Sequence, residues 1–162
     1  MPNTIDRHYE LQDTEKATAI IEKAMKVAAE RIPQGACATY IPELGKVDPN
    51  QLGICLYPLS GDKICIGDYD VRFTMQSVSK IVTLIMALEV CGLDTVFSRV
   101  GAEPSGEAFN SLVELDLNDS KPYNPLINSG ALAICGMLMA EVSFQDVLRY
   151  TRKICADPDI TL

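Results

Sequence analysis

Apolar residues recur at helical spacing from Thr14 to Arg31, with Ala17, Ile20, Ile21, Ala24, Met25 and Ala28 on one side and Glu15, Glu22, Lys23 and Lys26 on the other. The spacing predicts a first helix, ended by Pro33 and Gly35. Pro42 and Pro49 then interrupt any regular element, so the stretch 38–44 reads as an irregular connection and Tyr40 as an ordinary half-buried ring. Two short apolar runs, 52–57 and 63–67, flank Ser60-Gly61-Asp62 and predict an antiparallel hairpin with at least one face covered by helices.

From Ser77 to Val90 the chain is apolar on nearly every side, interrupted only by Thr83 and Glu89 beyond its polar first turn. Such a helix belongs inside a domain, and Gly92 supplies its left-handed C-terminal cap. A short helix from about Asp94 to Val100, closed by Gly101, comes next. The region 103–122 is rich in turns, with an extended piece at Leu112-Val113-Glu114-Leu115. A rigid loop, Lys121 to Gly130, feeds an apolar helix from Ala131 to Ala140. Ser143-Phe144-Gln145-Asp146 has the spacing of a capping box and opens a last helix to about Ile154. No internal repeat or second domain is visible, so 1–162 reads as a single domain.

Composition narrows the function classes. A chain of 162 residues, 48% hydrophobic and 22% charged, is long enough for one globular domain with a real core. The formal charge of −8 argues against a nucleic-acid surface. No apolar run reaches membrane-span length and the first residues do not form a signal peptide, so no membrane association and a cytoplasmic location are expected. The 6 cysteines contain no C-x-x-C pair and sit mostly among apolar neighbours, which reads as small core residues in a reducing compartment. The single histidine, His8, lies in a polar N-terminal segment. A Ser-His-Asp triad or a His-rich zinc site is therefore improbable, and in a serine enzyme lysine or tyrosine must move the proton.

That directs attention to Ser77 and Lys80, three residues apart at the start of the apolar helix and so on one face. A serine there meets unpaired backbone N–H groups and the positive end of the helix dipole, which favour a developing oxyanion. Apolar surroundings disfavour a charged lysine and would suit it to accept a proton. On spacing alone, an N-cap serine beside a snorkelling lysine remains an equal reading. A second S-x-x-K, Ser60 to Lys63, falls in the hairpin turn, where its lysine would be solvated. Asn128, at a helix entry, is most simply an N-cap.

Several strings carry more than spacing. Tyr40-Ile41-Pro42-Glu43-Leu44, Val47-Asp48-Pro49-Asn50-Gln51-Leu52-Gly53, Phe73-Thr74-Met75-Gln76-Ser77-Val78-Ser79-Lys80, Val100-Gly101-Ala102-Glu103-Pro104-Ser105-Gly106, Phe109-Asn110-Ser111-Leu112 and Lys121-Pro122-Tyr123-Asn124-Pro125-Leu126-Ile127-Asn128-Ser129-Gly130 closely resemble the serine-dependent glutaminases, in that family's order. The resemblance implies an α+β, β-lactamase/transpeptidase-like fold with a helical cluster beside an antiparallel sheet. It implies hydrolysis of L-glutamine to L-glutamate and ammonia, with no metal or organic cofactor. By position, Ser77 is the nucleophile and a substrate contact, Lys80 its proton acceptor, Asn128 a hydrogen-bonding partner of the substrate and Tyr40 a pocket residue, with Gln76 only in support. The complete protein is expected to form a homo-oligomer. Later segments of family members supply further substrate-binding and oxyanion groups, so this chain reads as an N-terminal portion of the domain with an open half-site. Two alternatives stand beside this one: an inactive fragment acting as a binding or assembly module, and a penicillin-binding or β-lactamase-type acyl transferase, which would require a K-T-G element that is absent here.

Overall fold

The computed structural model describes residues 13–58, 61–111 and 120–161. His8, Ser60 of the second S-x-x-K and the extended piece at 112–115 lie outside the described residues. The chain divides after Phe73 into two compact units.

In the first unit, helix α1 (Thr14–Ala29) starts where Asp13 Oδ1 accepts the Lys16 N–H at 2.8 Å, with Glu15 in the first turn against the helix dipole. It stops two residues short of the expected Arg31, because a 3-10 turn at Ile32–Gln34, with Pro33 near its start, takes over. Strands β1 (Gly53–Leu56) and β2 (Ile64–Gly67) form the expected antiparallel hairpin, pairing Gly53 with Gly67, Ile54 with Ile66, Cys55 with Cys65 and Leu56 with Ile64. Its open end is closed by Asp68, whose N–H donates to Leu52 O at 2.9 Å and whose Oδ2 accepts the Leu52 N–H at 2.9 Å. That closure holds Gly67 at φ +75° against Leu52 O and Met25 Cε, where a Cβ has no room. Helix α1 packs on both strands.

The second unit is a cluster of helices. A 3-10 turn at Gln76–Val78 leads into α2 (Ser79–Cys91), followed by α3 (Leu93–Arg99), α4 (Asn128–Leu138) and α5 (Phe144–Cys155). Gly92 is at φ +81° and ψ 158°, a conformation open only to glycine, and serves at once as the end of α2 and the start of α3. The core is Met86, Ala87, Val96, Val100, Ile134 and Leu138, contributed by α2, α3, the residue after α3, and α4. Tyr150 of α5 packs against this core, near Glu89 of α2. Burial first, and that carboxylate second, push its phenol above the usual range.

Helix α2 is apolar all round, as the sequence requires, yet only one face is covered. Val82, Met86 and Ala87 are buried, while Val78 before it and Ile81, Ile85 and Val90 are exposed. The elements α3, α4 and α5 pack along one side of it, and a helix hydrophobic on every side needs partners on every side. The cysteines also depart from expectation: Cys55, Cys135 and Cys155 are exposed, and Cys37, Cys65 and Cys91 are half-buried. Apolar neighbours in sequence did not bury them, because on a strand or helix the neighbours i±1 face other directions.

The capping box forms as expected. Ser143 Oγ accepts the Asp146 N–H at 3.2 Å and Asp146 Oδ2 accepts the Ser143 N–H at 2.9 Å. Among the described residues, no helix is long and apolar enough to cross a membrane, and no group of three or more His, Cys, Asp or Glu side chains is placed to hold a metal ion.

Candidate active site

Three of the four residues singled out by sequence lie in the second unit, and two of them meet. Lys80, in the first turn of α2, is half-buried and donates from Nζ to Asn128 Oδ1 at 2.7 Å and to Leu126 O at 2.9 Å. The Phe109 ring centroid lies 5.9 Å from the same nitrogen, within reach of a cation–π contact. Tyr40 lies in the first unit, in a bend, and is 77% exposed rather than half-buried.

Asn128 is not the N-cap its position suggested. Ile127 occupies that place with an extended backbone, and Asn128 is the first helical residue, its side chain turned to Lys80. Asn124 organises the loop before it. Its Oδ1 accepts the Leu126 N–H at 3.0 Å and the Ile127 N–H at 3.1 Å, and its Nδ2 donates to Glu103 O at 2.9 Å. The Asn128 N–H donates to Phe109 O at 2.8 Å, so the residue that faces Lys80 and the one that lies over it are joined by backbone.

Two glycines make this loop possible by close approach. A Cβ on Gly130 would overlap Asn124 O, and one on Gly101 would overlap Tyr123 O. Gly101 was expected to close α3. Its place is instead set by strand-like pairing, with the Gly101 N–H on Pro122 O at 2.7 Å and the Glu103 N–H on Tyr123 O at 3.0 Å. Ser129, next to Asn128, is buried, and its hydroxyl has no partner among the described residues.

Ser77 sits in the 3-10 turn that precedes α2, exposed, one turn before Lys80. Neither its hydroxyl nor its backbone N–H is hydrogen-bonded among the described residues, so both are open to an incoming group. The residue before it, Gln76, is at φ +46°. A left-handed conformation costs a non-glycine residue roughly 1–2 kcal/mol, and strained backbone of this kind clusters at functional sites. Sequence reading missed this feature, because glutamine carries no left-handed signal. It also missed Leu126 O, a backbone atom, and the position of Phe109 over Lys80.

A family model described as Glutaminase matches residues 35–162 and so runs through both units. Glutaminase 1 of Clostridium perfringens is 48% identical over 134 residues, which make up 80% of this chain and 44% of that protein. A solved structure of the probable glutaminase ybaS superposes with a TM-score of 0.81 at 32% identity, over 93% of this chain and 49% of that one. The probable glutaminase from Bacillus subtilis complexed with 6-diazo-5-oxo-L-norleucine gives a TM-score of 0.66 at 34% identity, over 88% and 42%. The α+β architecture is thus the one these solved glutaminases carry. This chain belongs to the glutaminase family, and it spans about half the length of the relatives it matches.

Proposed function

We propose that this chain carries the nucleophile and proton acceptor of an amidohydrolase that converts L-glutamine and water to L-glutamate and ammonia through an acyl-enzyme on Ser77. The observation that supports it best is the double anchoring of Lys80 Nζ on Leu126 O and Asn128 Oδ1, one turn beyond an unpartnered Ser77. A neutral amine has two N–H bonds and one lone pair. With both N–H bonds held by those two oxygens, the lone pair is left to take the Ser77 proton.

Ser77 Oγ attacks the side-chain amide carbon as its proton passes to Lys80 Nζ, and the Ser77 backbone N–H serves as one donor to the oxyanion. Lys80 returns the proton to the departing nitrogen, ammonia leaves, and an ester remains on Ser77. Water, losing its proton to Lys80, then releases glutamate. Asn128 spends its Oδ1 on Lys80 and keeps its Nδ2 donors for the substrate. A substrate contact for Tyr40 rests on the family match, which includes position 40. A single glutaminase domain over 1–162 and a cytoplasmic location, on the sequence pattern, and homo-oligomer formation, on the family resemblance, complete the reading.

The test uses the diazoketone 6-diazo-5-oxo-L-norleucine, a glutamine-shaped electrophile. Attack by Ser77 Oγ on its diazo-bearing carbon, with proton transfer to that carbon and loss of dinitrogen, leaves an ether. Trypsin releases the peptide 73–80, or 73–99 where Lys80 is replaced, and fragmentation separates Ser77 from Ser79. Label on Ser77, absent in Ser77→Ala and slowed about a hundredfold or more in Lys80→Met, is expected for loss of a general base. Label on another residue, or equal labelling of Ser77→Ala, would overturn the assignment.

A further inference from the structure

A second group of nucleophilic side chains lies on the β1–β2 hairpin, where Cys55 and Cys65 are direct partners in the antiparallel register. Residues opposite one another in such a ladder share a face and have Cα atoms about 4.5–5.5 Å apart. Disulfides span Cα distances of roughly 4.4–6.8 Å, so the ladder already holds this pair within bonding range. Cys55 opposite it first, and burial second, push the Cys65 thiol above its usual range, while the charge of Lys63 opposes the rise. Both sulfurs are reduced, Cys55 is exposed and Cys65 is half-buried. The other pairs of the hairpin, Ile54 with Ile66 and Leu56 with Ile64, alternate with the cysteines and point to the opposite face.

We propose that Cys55 and Cys65 form a dithiol site that low-molecular-weight disulfides oxidise to an intramolecular disulfide across the hairpin. The exposed Cys55 thiolate attacks one sulfur of the small disulfide, forming a mixed disulfide and expelling one small thiolate. Cys65, losing its proton, attacks Cys55 Sγ, breaks the mixed disulfide and expels the second small thiolate. Two protein thiols are oxidised, one small disulfide is reduced to two thiols, and the two protons end on the products. The bond requires no change of register, because the ladder already sets the partners. In a reducing compartment the site stays as the dithiol, and a rise in the disulfide fraction closes it.

Cleavage after Lys46, Lys63 and Arg72 separates Cys55, in the peptide 47–63, from Cys65, in 64–72. The reduced chain is treated with oxidised glutathione, quenched by thiol alkylation, digested and mapped by mass without reduction. The expected species is the two peptides joined by a disulfide, carrying no glutathione. Cys65→Ser is expected to stop at the mixed disulfide, with glutathione retained on Cys55. A wild-type map in which each of the two peptides carries its own glutathione, or in which both remain reduced while Cys135 is modified, would overturn the proposal. The wild-type map decides even if the variant fails to fold.

Discussion

Lys80 of α2 and Asn128 of α4 stand 48 residues apart in the chain and 2.7 Å apart in space, joined by a hydrogen bond from Nζ to Oδ1. The contact ties the first turn of one helix to the first residue of another, at the place where the turn that carries Ser77 leads into α2. Removing one partner of such a part-buried bond leaves the other unsatisfied, at a cost of about 1–3 kcal/mol. A double-mutant cycle of Lys80→Met and Asn128→Ala, followed by denaturant unfolding, is expected to show coupling of about 1–2 kcal/mol. Additive losses would mean that the pair makes no effective contact in solution.

Gln76 holds a left-handed backbone just before Ser77. Glycine accepts this conformation freely and alanine does not. Gln76→Gly is therefore expected to be more stable than Gln76→Ala by about 1 kcal/mol. The reverse ranking, the usual one inside a helix, would show that residue 76 is not left-handed in solution.

Ser129 and Gly130 are neighbours with opposite expectations. A Cβ at Gly130 meets Asn124 O, so Gly130→Ala must displace the loop that delivers Asn128, and a loss of about 2–3 kcal/mol or more is expected. Ser129 hides a hydroxyl without a partner among the described residues. Replacing such a group with an apolar one is close to neutral or stabilising, and alanine is the better helix former. Ser129→Ala is expected to raise stability by up to about 1 kcal/mol in thermal or denaturant unfolding. A clear loss would reveal a hydrogen bond to that hydroxyl.

The Asp146 carboxyl is held below its usual range, chiefly by the hydrogen bonds of the Ser143 side chain and backbone; burial opposes them, and Arg149 adds to the lowering. A carboxylate whose folded pKa is depressed adds stability above its unfolded pKa. That stability is lost as pH falls through the folded value. The difference in melting temperature between the wild type and Asp146→Asn should be full at neutral pH and shrink below the ordinary carboxylate range. A difference that grows on acidification would contradict the sign. Ser143→Ala removes the other half of the box and should cost about 0.5–2 kcal/mol.

What could be read from the sequence was local. Turn residues and short apolar runs located the hairpin, the Ser143–Asp146 spacing marked a helix start, and S-x-x-K placed Ser77 and Lys80 on consecutive turns. What escaped was tertiary. Asn128 looks like a cap because a cap needs only its own helix, whereas its partner Lys80 comes from a helix 48 residues away. Gly101 looked like a helix stop, but its need for no side chain comes from Tyr123 O. The cysteines were read as core from their apolar neighbours. The strand register instead put Cys55 and Cys65 opposite each other, with Cys55 exposed and Cys65 half-buried.

The central claim is tested most directly by ammonia release from L-glutamine, measured for the purified chain beside Ser77→Ala and Lys80→Ala, with folding of each checked by circular dichroism. Glutamine-dependent release that either substitution abolishes is the result that supports the Ser77–Lys80 assignment. Release that survives Ser77→Ala would contradict it, whereas a folded wild-type chain that releases none would mean that the open half-site needs the later segments of the family.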